Sequence, residues 1–265
     1  MMRNLYTALL ISFALVSPLL AASDKAKEQR WADQIVDTLM VGEALWLEPG
    51  DEPILALATE HTTEEAKGGA IVVHGIGAHP NWPEVIHPLR SRLPDHGWMT
   101  LSIQMPILEN QADARDYEPL FAEVTPRFNA AIDYLREQGI ENIVILAHSM
   151  GAAMSTHYLA SNPDHPIRAF VGIGMNQSDI DIMDNATNLE KITIPVLDLY
   201  GSRDLDGVMA SVKKRATGAA RAGNDNYRQV EIMGADHFFN GRADTLVKRV
   251  YSWIDSHAPG EEVAR

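Results

Sequence analysis

Residues 143–153 read Ile143-Val144-Ile145-Leu146-Ala147-His148-Ser149-Met150-Gly151-Ala152-Ala153. The first four are apolar and mostly β-branched, with no polar residue between them, which predicts a short strand covered on both faces. A serine follows at once, and a helix is predicted beyond it. Such a turn holds the serine hydroxyl out above the sheet. It is crowded, so it needs small residues two before and two after the serine. Ala147 and Gly151 supply them, with Ala152 alongside. Met150 then opens the helix, and its backbone N–H has no acceptor within the helix, so it is free to meet developing negative charge.

Outward from this turn, strands and helices alternate. Further strands are predicted at Ala70–His74, Trp98–Gln104, Ile167–Gly174, Ile194–Tyr200 and Tyr227–Met233. Several are apolar on both faces, as parallel strands between two helical layers are. One helix is expected from Thr125 as N-cap and Pro126 as first residue to just before Gly139. Another should span about 242–257, with Leu246, Val247, Val250, Tyr251 and Ile254 on one face. Upstream lie a helical stretch around 26–39 and two short apolar runs, 44–47 and 54–58. Pro49-Gly50-Asp51-Glu52-Pro53 between the runs predicts an antiparallel hairpin. The expected class is α/β, a mostly parallel sheet with an antiparallel start and its functional site at the carboxyl ends of the strands.

An unassisted serine is a weak nucleophile, needing a base to take its proton and a carboxylate to orient that base. His237 follows the last predicted strand, and Asp204 follows the strand before it. The order Ser149, Asp204, His237 is the one expected for strand-end residues in such a sheet. Asp206, Asp179 and Asp181 are competitors for the carboxylate. Asp198, within a buried strand, reads as structural, and Asp236 as a stabiliser of the loop before the base. A second oxyanion donor should come from Val72-Val73-His74-Gly75-Ile76-Gly77-Ala78-His79-Pro80, where glycine lets the backbone approach closely, and Ile76 N–H is the natural candidate. A phosphate cradle is disfavoured by the lack of a P-loop lysine. Metal ligation by His74 and His79 is disfavoured by the lack of a third ligand at suitable spacing, leaving His79 without a defined role.

Arg3, an apolar run from Leu5 to Leu20, and the small residues Ala21, Ala22 and Ser23 have the layout of an export leader. The run is short for a membrane span and is interrupted by Ser17-Pro18. Residues 1–22 are therefore expected to be a signal peptide, with 23–265 forming one domain in the periplasm or outside the cell. Cleavage after Ser23 would leave small residues at both critical positions, whereas cleavage after Ala22 would place Leu20 at one of them. The absence of cysteine excludes disulfides, a thiolate nucleophile and a lipid-bearing cysteine. A net charge of −14 argues against nucleic acid and anionic membrane surfaces as partners. The basic cluster Lys213, Lys214, Arg215 and Arg221 is expected to be a solvated helix face.

In element order and in its motifs at His74-Gly75, Ala147–Gly151, Gly201–Asp204 and Asp236-His237, the chain resembles the α/β-hydrolase superfamily, and in its His74–Pro80 loop an uncharacterised group of exported bacterial members. The resemblance implies an α/β-hydrolase fold, an oxyanion hole from Ile76 and Met150, ester or related acyl hydrolysis, and no cofactor. It departs at Ala147, where glycine is commonest. Only about twenty mostly polar residues stand between Gly174 and Ile194, where many relatives carry a large cap. An uncapped site favours a modest soluble ester or a polymer end. Acyl transfer by the same residues, or a non-catalytic binding module on the same fold, are the alternatives.

Overall fold

The computed structural model describes residues 23–260. The expected leader, residues 1–22, lies outside them. Helix α1 (Lys25–Thr38) precedes the hairpin of β1 (Glu43–Leu47) and β2 (Ile54–Thr59), in which Leu47 pairs with Ile54. Then follow β3 (Gly68–Val73), α2 (Ile86–Arg92), β4 (Trp98–Ile103), α3 (Val124–Glu137), β5 (Ile143–His148), α4 (Met150–Ser161) and β6 (Ile167–Ile173). The described residues close with α5 (Asn185–Leu189), β7 (Val196–Arg203), α6 (Asp206–Arg221), β8 (Tyr227–Asp236) and α7 (Ala243–His257).

The eight strands of the described residues form one sheet in the order β1-β2-β4-β3-β5-β6-β7-β8. The β1–β2 and β2–β4 pairs are antiparallel, and the pairs from β4–β3 onward are parallel. Successive side chains along a strand point to opposite faces, which divides the core in two. Ile71, Val73, Ile145 and Ala147 pack with Phe128, Leu135, Met154 and Tyr158 of α3 and α4 on one face. On the other, Ala70, Val72, Val144 and Leu146 meet Ile86 and Leu89 of α2 and Leu246, Val250 and Ile254 of α7. Each valine, leucine or isoleucine among them contributes about 1.5–3 kcal/mol when fully buried. These two layers hold the central strands and so position what emerges from their ends.

Two expectations change. Helix α3 begins at Val124, because a 3₁₀ turn over Ala114–Glu123 runs directly into it. Thr125 and Pro126 therefore sit inside its first turn, where proline is tolerated because those N–H groups have no intrahelical acceptor. The basic cluster is not all solvated. Arg215 lies on the inner face of α6 with Val208, Ser211 and Ala219, fully buried, and its Nε donates to Asp198 at 2.7 Å. Between β6 and β7 stand only a 3₁₀ turn at Asp181–Met183 and the five-residue α5, so no large cap is inserted between these two strands.

Candidate active site

Ser149 immediately follows β5, Asp204 immediately follows β7 and His237 immediately follows β8. Parallel pairing of β5, β6, β7 and β8 aligns these carboxyl ends, so residues 88 apart in sequence meet without any long loop. Ser149 Oγ lies 3.0 Å from His237 Nε2, and His237 Nδ1 lies 2.6 Å from Asp204 Oδ1. The carboxylate fixes Nδ1 as the protonated nitrogen, which leaves Nε2 as the acceptor facing the serine.

Ser149 adopts φ 56° and ψ −121°, a conformation that costs a non-glycine residue about 1–3 kcal/mol. Its neighbours hold it there. Ser149 N–H donates to Ile173 O at 2.9 Å, tying the turn to β6. The requirement for a small residue at 151 is visible as space. A Cβ on Gly151 would stand 2.3 Å from His74 O and 2.9 Å from Val73 O, so α4 could not approach the end of β3. Gly75 approaches from the facing loop, where a Cβ would lie 3.0 Å from that of Ser149. Ile76 follows Gly75 in the same loop, and Met150 follows Ser149 as the first residue of α4, so the two residues whose amides are expected to meet an oxyanion each stand one position beyond this close approach.

Asp204 has little freedom. Besides the imidazole it accepts from Gly201 N–H at 3.1 Å and Leu205 N–H at 2.9 Å, and its side chain is shielded from solvent. Burial alone would raise its carboxyl. The hydrogen bonds from His237 and the two amides outweigh that and hold it below the ordinary carboxylate value, so it stays ionised beside the imidazole. Asp236 stabilises the loop, accepting from Phe238 N–H and Asn240 N–H, both at 3.1 Å. The other candidate carboxylates stand elsewhere: Asp179 pairs with Arg115 on the surface, Asp181 and Asp206 are exposed, and Asp198 is bound to Arg215.

Four further residues complete the setting. Gly174, at φ 61° after β6, lies close against the His237 ring: a Cβ there would be 2.8 Å from His237 Cε1 and 2.9 Å from Nδ1. His148 is buried, and its Nε2–H donates to His237 O at 2.9 Å, so the residue before Ser149 anchors the backbone of His237. Burial, with the neighbouring His237 ring, lowers its pKa to about 4, so it is neutral at pH 7. His74 is neutral for the same reason, its pKa lowered by burial to about 3. Its Nδ1–H donates to Gly75 O at 2.9 Å and its Nε2 accepts from Met105 N–H at 2.9 Å, which pins the loop carrying Ile76. His79 is packed between Trp31 and Trp82, ring centroids 4.6 and 5.3 Å away, and accepts from Asn81 N–H. Sequence reasoning missed the parts of Gly174 and His148. A glycine ending a buried strand beside the nucleophile strand was the one available signal for the first.

Among the described residues, no three His, Asp or Glu side chains converge as a metal-binding group, and no helix is long and apolar enough to cross a membrane. A family model described as "Protein of unknown function (DUF3530)" matches residues 5–122 and 110–256. No curated protein matches the chain in sequence. Among solved structures it is similar to Est1E from Butyrivibrio proteoclasticus, at 17% identity and TM-score 0.64, covering 81% of this chain and 98% of that one. It is also similar to a dienelactone hydrolase from Anabaena variabilis, at 17% identity and TM-score 0.65, covering 81% and 97%. An α/β serine hydrolase without a lid from Xanthomonas campestris matches at 16% identity and TM-score 0.63, covering 83% and 97%. At such identities the likeness is one of fold, and the fold is that of the α/β hydrolases.

Proposed function

The chain belongs to the DUF3530 family of proteins of unknown function, and from that premise we propose that it is a serine hydrolase of the esterase type. The observation that carries this reading is the hydrogen-bonded series from Ser149 Oγ through His237 to Asp204, at 3.0 and 2.6 Å. A buried carboxylate, an imidazole of fixed tautomer and a serine in a strained turn together make a nucleophile.

His237 Nε2 takes the Ser149 proton as Oγ attacks the substrate carbonyl. The negative charge that forms on the carbonyl oxygen is met by the N–H groups of Ile76 and Met150. His237, now positive, is stabilised by Asp204 and returns the proton to the leaving alcohol. Water, activated by the same imidazole, then releases the acyl group from Ser149. No step requires a cofactor. The mouth of the site supports an ester with an apolar portion: Ile76, Leu205 and Phe238, beside the oxyanion loop, the carboxylate and the base, are 41%, 47% and 44% exposed. The expected leader supports action outside the cytoplasm, on a modest soluble ester or a polymer end.

A fluorophosphonate probe followed by peptide mapping tests the reading. Label should attach to Ser149, and Ser149→Ala should abolish it and lower kcat against a responsive ester by about 10⁶-fold, the scale for losing such a nucleophile. Label that persists in a folded Ser149→Ala protein rejects the assignment.

A further inference from the structure

The first described residue is held by side chains 100 positions away. Ser23 N–H donates to Glu123 Oε1 at 2.7 Å, and Ser23 Oγ donates to Glu123 Oε2 at 3.0 Å. Arg127, buried, donates from Nη2 to Ser23 Oγ at 3.0 Å, to Glu28 Oε1 at 2.9 Å and to Glu123 Oε2 at 2.7 Å. Asp24 N–H donates to Ile107 O at 2.8 Å, and its side chain caps α1. A main-chain nitrogen facing a carboxylate oxygen at this distance is the geometry of an ammonium–carboxylate pair. Here that nitrogen belongs to one of the two residues at which the sequence expects the processed chain to begin.

We propose that Glu123 is the docking site for the α-amino group of the processed chain, and that the leader is removed between Ala22 and Ser23. A leader peptidase adds water across that bond: the carbonyl carbon of Ala22 gains the hydroxyl and Ser23 N gains the hydrogen. The freed amine takes a further proton from solvent at neutral pH. The neutral N–H donor at Glu123 thereby becomes an ammonium, and one hydrogen bond becomes an ion pair. Cleavage after Ser23 would instead remove all three contacts that Ser23 makes with Glu123 and Arg127. The docked amine would sit beside Glu28, Arg127 and Lys25, whose Nζ is 3.6 Å from Glu123 Oε2.

The site lies at one end of a continuous run of hydrogen bonds. Arg127 Nη1 donates to Gln104 O at 2.9 Å, and the Gln104 side-chain amide, 3.1 Å from His74 Nε2, shares that acceptor with Met105 N–H. His74 in turn holds Gly75 O. Docking of the new terminus thus fastens the segment on which the Ile76 loop rests. It does not depend on any chemistry at Ser149, and the test below reads none.

Three versions of the chain, released from a cleavable fusion so that they begin at Ala22, Ser23 or Asp24, decide the matter, each made both with Glu123 intact and with Glu123→Gln. The protein beginning at Ser23 should melt about 3 °C above the other two, and the gap should close in Glu123→Gln. Its α-amine should also react with a succinimidyl ester at least about tenfold more slowly than that of the Ala22 version, a comparison that needs no substitution should Glu123→Gln fail to fold. Mass spectrometry of the exported protein should find Ser23 as the first residue. Equal melting and equal amine reactivity of the Ala22 and Ser23 versions, a gap that survives Glu123→Gln, or an exported chain beginning elsewhere would overturn the proposal.

Discussion

Asp198 and Asp204 lie six residues apart, one within β7 and one just past its end, and both side chains are shielded from solvent. Asp198 is saturated by fixed donors: Arg215 Nε at 2.7 Å and Nη2 at 3.2 Å, Tyr227 OH at 2.5 Å and Gln229 Nε2 at 2.9 Å. Burial and the neighbouring carboxylate push the Tyr227 hydroxyl far above its ordinary pKa, so it stays a donor. Asp204 accepts from two amides and from an imidazole whose other nitrogen faces a serine. Burial is common to both carboxylates. What separates a strut from a catalytic candidate is the partner: a guanidinium keeps its charge throughout, whereas an imidazole can gain a proton and lose it within one turnover.

Removing each charge in turn should break the pair in opposite ways. Asp204→Asn should leave the fold intact and lower kcat by about 10³- to 10⁴-fold, or roughly 4–5.5 kcal/mol, because the imidazole loses its tautomer and its stabilised positive form. Asp206→Asn and Asp179→Asn should stay near wild type. A folded Asp204→Asn that keeps more than about a tenth of kcat would mean another group orients the base. Asp198→Asn should instead strand Arg215 in the core and cost about 3–5 kcal/mol of stability. That lowers Tm by roughly 6–15 °C, while kcat of the folded fraction changes little.

Smaller effects sharpen the same contrast. Gly174→Ala places a methyl group against the His237 ring in a left-handed backbone position, so kcat should fall about 100-fold with a lesser change in KM. Activity near wild type would show that the ring has room to move. His148→Phe removes the donor to His237 O while filling the space, and about a tenfold loss of kcat is expected, the cost of one buried hydrogen bond. His148→Asn, which keeps a donor, should recover part of it, and a Phe variant no slower than Asn would discount the anchor.

The smallest effect is on stability in mild acid. His74 and His148 are neutral in the folded chain, with pKa values of about 3 and about 4, and take up a proton near the ordinary histidine value of about 6.5 once unfolded. The stability this represents is whole above about pH 6.5 and drains away as pH falls towards 4. Tm should therefore decline between pH 6.5 and 5, and less steeply in His148→Phe. An identical slope in the two proteins would mean that His148 is not held neutral.

The legible parts of this molecule are those set by neighbours in the chain. The buried run Ile143–Leu146 ending in Ala-His-Ser-Met-Gly predicts a strand, a tight turn and a helix, because small residues either side of a serine are needed where a helix must start against a strand end. The hairpin before Ile54 and the antiparallel start of the sheet were readable from proline and glycine between two apolar runs. Asp204 and His237 could be named as candidates by their places after predicted strands, yet the same reasoning left Asp179, Asp181 and Asp206 standing. Proximity across three strands depends on register, and register is a property of the assembled sheet. Arg215 was misread for a related reason. Its place among lysines and arginines suggested a wet face, but α6 turns it onto Asp198, and a buried carboxylate on another element leaves no trace in the local charge pattern.

The order of elements, the crowded serine turn and the candidates for its partners thus follow from local sterics and hydrophobic periodicity, which act over a few residues. Only packing decided which carboxylate meets the imidazole, why residue 174 must lack a side chain, and that His148 holds His237 by its backbone. Each of those is a contact of about 3 Å between segments far apart in the chain. Contacts of that kind are selected by the fit of whole layers against one another.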